Sequence, residues 1–255
     1  MTFVNRRVIS CLLALSVSVS ANAVIPTHSR AQSSETPPIQ APLFSDSCTQ
    51  ENKDALLKAH ANMALMLDDA FAGVTTETES EEYRDSFGPS SPDRDWDVFG
   101  RLFIMRVGAS AITMTADCVP AGQDKTCDMG VWAYVPKQTK DEGAYDHTIK
   151  FCPSYFNTTT EEVQRVSLWK KVSVMQGAVF LHELTHFAWS TKEMLQSVGL
   201  NPDPDAQDLA GTVDSGYDLA SVKRLAKKHP EKAIANADSY HIFVVRLAIR
   251  KGTIY

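Results

Sequence analysis

Positive charge is what this sequence has too little of. Its 255 residues carry 25 Lys and Arg against 31 Asp and Glu, a formal charge of −6. That balance excludes the cationic surface a nucleic-acid partner requires. No apolar run reaches the ~20 residues needed to cross a bilayer as a helix, so no membrane partner is expected. Cysteine is sparse, at five residues, and the spacings of Cys11, Cys48, Cys118, Cys127 and Cys152 contain no pair of C-x-x-C units, which excludes a zinc knuckle. Internal repeats are lacking, and so is any linker after Cys48, so a multi-domain array is excluded.

What is present begins with a leader. Asn5-Arg6-Arg7 is basic, residues 8–20 are apolar, and Ala21-Asn22-Ala23 has the small-x-small form of a signal-peptidase site. Residues 1–23 are expected to be a signal peptide and the protein to be secreted. Cleavage would remove Arg6 and Arg7 and no acid, taking the charge to −8. It also removes Cys11, leaving four cysteines for two disulfides in an oxidising compartment, with three possible pairings. Asn157-Thr158-Thr159 is an acceptor for N-glycosylation at Asn157 in a secreted chain.

Residues 24–45 are rich in Pro, Ser and Gln and aperiodic, predicting a flexible tail or short pro-segment. Order is expected over 46–255, in one domain of the α+β class, mostly helical with a small disulfide-stapled sheet. Helical periodicity appears at 52–71 and 96–111. Residues 75–94, acidic and holding Gly88-Pro89-Ser90-Ser91-Pro92, predict a long loop. Short β-rich segments at 111–118, 130–135 and 147–151 carry or flank three of the cysteines. Further helices are predicted at 160–171, capped by Thr160, at 173–189, at 218–228 and at 231–250, with a break at 201–205. Trp169 and Trp189 read as core or rim aromatics, His229 as a helix-end residue, and His28 as part of the tail.

One helix is unusual. Residues 178–190 read AVFLHELTHFAWS, placing His182, Glu183 and His186 among Val179, Phe180, Leu181, Leu184 and Phe187. Burying two imidazoles and a carboxylate in such a helix is costly unless they are paired. Residues four apart share a helix face, so His182 and His186 can aim at one metal ion. Glu183, rotated to the side, can act as general base on a water activated by that ion. A tetrahedral zinc needs a third protein ligand. Position 192 is Lys and Trp189 stands where a glycine is required, so the extended motif with three histidines is excluded. Glu193 lies close in sequence, Glu231 is distant, and an aspartate is offered by GTVDSGYD at 211–218.

His182-Glu183-Leu184-Thr185-His186 followed by Gly211-Thr212-Val213-Asp214-Ser215-Gly216-Tyr217 resembles the deuterolysin, or aspzincin, family of fungal zinc metalloendopeptidases, which includes peptidyl-Lys metalloendopeptidases. Ile234-Ala235-Asn236-Ala237-Asp238-Ser239-Tyr240 is similar to the family's N-A-D-x-Y segment, and Ile149-Lys150-Phe151-Cys152-Pro153 supports the resemblance, which runs from Cys48 to the C-terminus. It implies a zincin-like fold, one zinc ion held by His182, His186 and Asp214, and Tyr217 as hydrogen-bond donor to the developing oxyanion. It also implies the pairs Cys48–Cys118 and Cys127–Cys152. The expected activity is hydrolysis of peptide bonds by a zinc-activated water with Glu183 as base, in a monomer acting on protein or peptide substrates.

Two positions depart from the family pattern. Asp218 replaces the glycine after the tyrosine, adding a charge beside the metal and altering the turn. Lysine-specific members use acidic residues around the N-A-D-x-Y segment to receive the ammonium. Here Asp238 and His241 are the substrate-binding candidates, but His241 stands where those members have Glu, so lysine specificity is not expected to carry over. The alternative reading is a secreted zinc-binding antigen or host-interaction protein of the same fold with little or no proteolytic activity.

Overall fold

The computed structural model describes residues 37–138, 140–141, 144–165, 171–197 and 208–254. The signal-peptide segment, His28, Trp169 and the break at 201–205 lie outside the described residues.

In chain order the elements are β1 (Leu43–Phe44), α1 (Gln50–Gly73), α2 (Glu81–Phe87), α3 (Pro92–Ala111), β2 (Thr115–Cys118), α4 (Lys125–Asp128), β3 (Ala133–Tyr134), β4 (Lys140–Asp141) and β5 (Ala144–Tyr145). Then follow β6 (Thr148–Phe151), α5 (Pro153–Phe156), α6 (Thr160–Arg165), α7 (Val172–Thr185), α8 (Thr191–Ser197), α9 (Leu219–Lys228), α10 (Pro230–Ala233) and α11 (Ala237–Lys251). The class is α+β, with helices dominating a small mixed sheet of order β1-β2-β6-β3. β1 and β2 pair in parallel, as do β2 and β6, while β3 runs antiparallel to β6 at the edge.

Helix α1 starts where Thr49 Oγ1 accepts from the Asn52 amide, the side-chain cap expected of threonine. Its Leu56, Met63, Leu67 and Ala70 are fully buried, at the three- and four-residue spacing of one helix face. That face packs most extensively on α7. The approach is close because residue 177 is glycine: a Cβ there would lie 2.9 Å from the Ala59 carbonyl oxygen and from Asn62 Cβ. Asn62 Nδ2 donates to the Ser173 carbonyl at 2.9 Å across the same seam. Thus α7, which bears the histidine motif, is clamped along its buried side.

The disulfides join Cys48 to Cys118 and Cys127 to Cys152. The first ties the start of α1 to the end of β2. The second ties α4 to the residue that follows β6. At the far side Asp85 of α2 pairs with Lys223 of α9 at 2.7 Å and Arg246 of α11 at 2.6 Å. Burial pushes the Asp85 carboxyl up, but these two cations outweigh it and hold the group below the usual carboxylate range. Among the described residues, no helix is long and apolar enough to cross a membrane.

Several boundaries differ from the sequence reading. The stretch at 75–94 is not one loop: Ser80 Oγ accepts from the Tyr83 amide and starts α2, and Pro92 at the first turn starts α3 four residues earlier than expected. The tail is ordered before residue 45. Ser110 Oγ donates to the Pro37 carbonyl, Gln40 Nε2 donates to the Ser110 carbonyl, and Leu43–Phe44 forms the sheet's edge strand. Helix α6 is capped by Thr159 rather than Thr160: Thr159 Oγ1 accepts from the Glu162 amide while Glu162 reaches back to the Thr159 amide, a capping box. Helix α7 stops at Thr185, because Trp189 leaves to bridge Leu209. The 231–250 helix is two elements, α10 and α11, separated at Asn236 for a reason the site explains. His229 sits at the junction of α9 and α10, and Trp189 is 1% exposed in the core.

Candidate metal centre

Helix α7 carries His182 and Glu183 in its last turn, and His186 caps its C-terminal end. The chain returns beneath that end through Gly211. A Cβ at residue 211 would lie 1.9 Å from the His186 carbonyl oxygen, so only glycine permits the approach. The Thr212 amide donates to the Thr185 carbonyl at 2.9 Å, and the Thr185 and Thr212 hydroxyls lie 2.7 Å apart. Two residues later Asp214 reaches the histidines.

This loop is fastened from its other side by Asn236, which is completely buried. The Val213 amide donates to the Ala235 carbonyl, and the Ala237 amide to the Val213 carbonyl. Asn236 Oδ1 accepts from the Ser215 amide at 2.8 Å, and its Nδ2 donates to Ser239 Oγ at 3.1 Å. The non-helical backbone at Asn236 therefore serves to pair with the Asp214 loop, which interrupts the long helix expected there. Asn236, Thr212 and Gly211 were not singled out as working residues by the sequence reading. Their signal was present in the G-T and N-A-D motifs, but their roles depend on contacts between segments distant in sequence.

Three donor atoms converge. His182 Nε2 and His186 Nε2 lie 3.1 Å apart, and Asp214 Oδ1 lies 3.3 and 3.4 Å from them. Ligands at zinc–nitrogen distances around 2.0–2.1 Å in a tetrahedron are separated by about 3.3 Å, so this triangle fits such an ion. Each imidazole is turned so that Nε2 faces the triangle. His186 Nδ1 lies 3.0 Å from the Thr212 carbonyl, which can only accept, so Nδ1 carries the proton. His182 Nδ1 lies 2.7 Å from Asp238 Oδ1. Partners of this kind behind metal-bound histidines fix the tautomer and orientation.

A second donor group, His182 Nδ1, Asp238 and His241, has different geometry. Its Asp238 Oδ1 contacts, 2.7 Å to His182 Nδ1 and 2.9 Å to His241 Nδ1, are ordinary hydrogen-bond lengths. It is an orienting cluster behind the first triangle.

The electrostatics suit a cation. Burial lowers the His182 pKa, but the Asp214 and Asp238 carboxylates override it and raise the pKa to about 10. Burial likewise opposes His186, whose pKa is raised mainly by Asp214. Both aspartates are held well below the carboxylate range, burial being outweighed by the imidazoles. These carboxylates thus favour positive charge at the centre, as a cation-binding site requires. Glu183, 4% exposed, is pushed up by burial, against the pull of both histidines. Tyr217 is 71% exposed, and loss of solvation at its hydroxyl, with the neighbouring Asp214 charge, raises its pKa.

The remaining candidates fall as follows. Asp238 is 3% exposed and bonded to two imidazoles, so it backs the ligands. His241 lies one turn further along α11. Asp218 N-caps α9, its carboxylate accepting from the Ser221 amide and hydroxyl, so its charge is used at a helix start. Glu231 sits on α10 and pairs with His229 at 3.6 Å. Asn157, at the end of α5, is exposed. Asp238→Asn is expected to weaken zinc binding by roughly 10–100-fold, read by competition with a chromophoric chelator. An unchanged affinity would deny Asp238 its orienting role.

A cavity of about 1270 Å³ opens beside this centre, lined by all three donor residues together with Glu183 and Tyr217. It exceeds the roughly 300–1,000 Å³ of ordinary small-molecule sites and has room for an extended peptide segment. The exposed side chains of Trp132 and Val213 belong to its lining.

Comparison with known proteins agrees with this geometry. A family model described as aspzincin M35, lysine-specific metallo-endopeptidase, matches residues 205–245, the stretch that holds Asp214, Tyr217, Asn236 and Asp238. Among solved structures the fold is similar to that of a zinc peptidase from Grifola frondosa, with a TM-score of 0.52 and 22% identity, covering 78% of this chain and 97% of that one. At that identity the likeness speaks for the fold. No curated protein matches the chain by sequence. The Asp214 loop and the start of α11 thus match the model of the aspzincin metallo-endopeptidases, on a fold similar to that of a zinc peptidase.

Proposed function

We propose that the chain cleaves internal peptide bonds of protein or peptide substrates, with zinc held by His182, His186 and Asp214. The observation that carries this is the equal-sided triangle of donor atoms on the wall of a peptide-sized cavity, with the buried Glu183 carboxylate beside it. Zinc, when bound, supplies a Lewis acid that makes water a nucleophile near neutral pH.

The chain's own residues do the rest. Glu183 takes a proton from the attacking water and delivers it to the leaving amine. Burial raises its proton affinity above that of an exposed carboxylate, the direction a general base needs. The Tyr217 hydroxyl donates to the carbonyl oxygen as negative charge develops there. Asp238 and the Thr212 carbonyl keep the Nδ1 protons of His182 and His186, which leaves both Nε2 lone pairs facing inward.

Export is part of the proposal. It is supported by the basic-apolar-small order of residues 5–23 and by two disulfides, which persist in oxidising compartments. Asn157, exposed and within a sequon, is then available for glycosylation.

The test is digestion of casein or a mixed peptide pool with and without a chelator. Cleavage should disappear on chelation and return when zinc is restored. A zinc-loaded protein that cleaves nothing would overturn the reading and favour a metal-binding protein without catalysis.

A further inference from the structure

The cavity beside the metal centre is apolar away from its ligands, with Trp132, Val135, Val179, Val213, Leu219 and Ile242 in its walls. Its carboxylates, among the described residues, are Glu183, Asp214, Asp218 and Asp238, and each is engaged. Asp214 faces two imidazoles. Glu183 is buried beside both histidines. Asp218 caps α9 through Ser221.

Asp238 decides the matter. One of its oxygens accepts from both His182 Nδ1 and His241 Nδ1. The other has no hydrogen-bond partner but is shut off from solvent, so nothing entering the cavity can touch it. The lining instead presents the His241 imidazole and the cationic Lys137. A substrate ammonium would lose its water against apolar walls and gain no carboxylate, which is a heavy cost. An aliphatic or aromatic side chain would lose only unfavourable contact with water.

We infer that this cavity selects an apolar or aromatic side chain beside the cleaved bond and rejects lysine, because its carboxylates are engaged or buried and position 241 presents an imidazole instead of an acid. The inference rests on the peptidase reading above and adds to it the class of substrate. It separates this chain from the lysine preference in the description of the matching family model.

The test uses the full-length zinc-loaded protein and peptides that differ only in the residues flanking one bond: Leu, Phe, Lys or Glu. Wild-type cleavage should favour Leu and Phe over Lys by roughly tenfold or more. The cleavage-deficient Glu183→Gln protein should bind labelled Leu and Phe peptides with the same ranking. His241→Glu, with its zinc content measured alongside, should move the ratio toward Lys by about tenfold. A wild-type preference for Lys, or binding of Lys peptides as tight as Leu peptides, overturns the inference. Ranked binding without any cleavage would overturn the peptidase reading while leaving the selection standing.

Discussion

Glutamine in place of Glu183 is expected to lower peptide cleavage by on the order of 10²–10⁴-fold, the usual contribution of a positioned general base, with zinc content unchanged. The substitution keeps the shape of the side chain and an oxygen that can accept a hydrogen bond. It removes the carboxylate's ability to take and return a proton. None of the three donor atoms changes, so the metal should stay. The measurement is kcat/KM on a peptide the wild type cleaves, paired with metal analysis of the same sample. Cleavage within tenfold of wild type would remove Glu183 from the proposed chemistry.

The second large effect is structural. Alanine at Gly211 would put a methyl group 1.9 Å from the His186 carbonyl oxygen and 2.6 Å from its carbonyl carbon. Both neighbours are backbone, so no side chain can swing aside. Either the end of α7 or the Asp214 loop must move, and each carries ligands. Overpacking of this kind costs about 3 kcal/mol, which for a domain of this size lowers Tm by roughly 6–12 °C. Zinc affinity should fall with it, because Asp214 sits three residues along the displaced loop. Calorimetry and metal titration together check this, and a variant with native Tm and native affinity would show that the close approach does not hold the site.

The candidate metal triad was legible in the sequence because helical spacing alone brings His182 and His186 together, and because the GTVDSGY segment has a recognisable order. The α+β class was legible for a similar reason: α1 announces itself by Leu56, Met63, Leu67 and Ala70. What was not legible depends on contacts between distant segments. Asn236 interrupts a helix to pair with the Asp214 loop, and nothing within 231–250 signals that partner. Leu43 and Phe44 are a strand only because Thr115 and Ala116 lie beside them. In the tail's local composition they read as disorder. Asp218, expected to disturb the centre, turns out to satisfy a helix terminus, which is the ordinary work of an aspartate before a helix. Asp238 was assigned by resemblance to substrate, and its burial between two imidazoles could be seen only in three dimensions.

The Cys48–Cys118 bridge has a consequence for the chain when a protease meets it. It closes a loop of 70 residues, which in the chain-entropy account removes about 4 kcal/mol of freedom from the unfolded ensemble. That loop contains α1, against which the motif helix is braced, together with α2 and α3. A single cut inside it, whether by another copy or by another protease, cannot release either fragment. The nicked pieces stay within each other's reach and can re-form the packed helices.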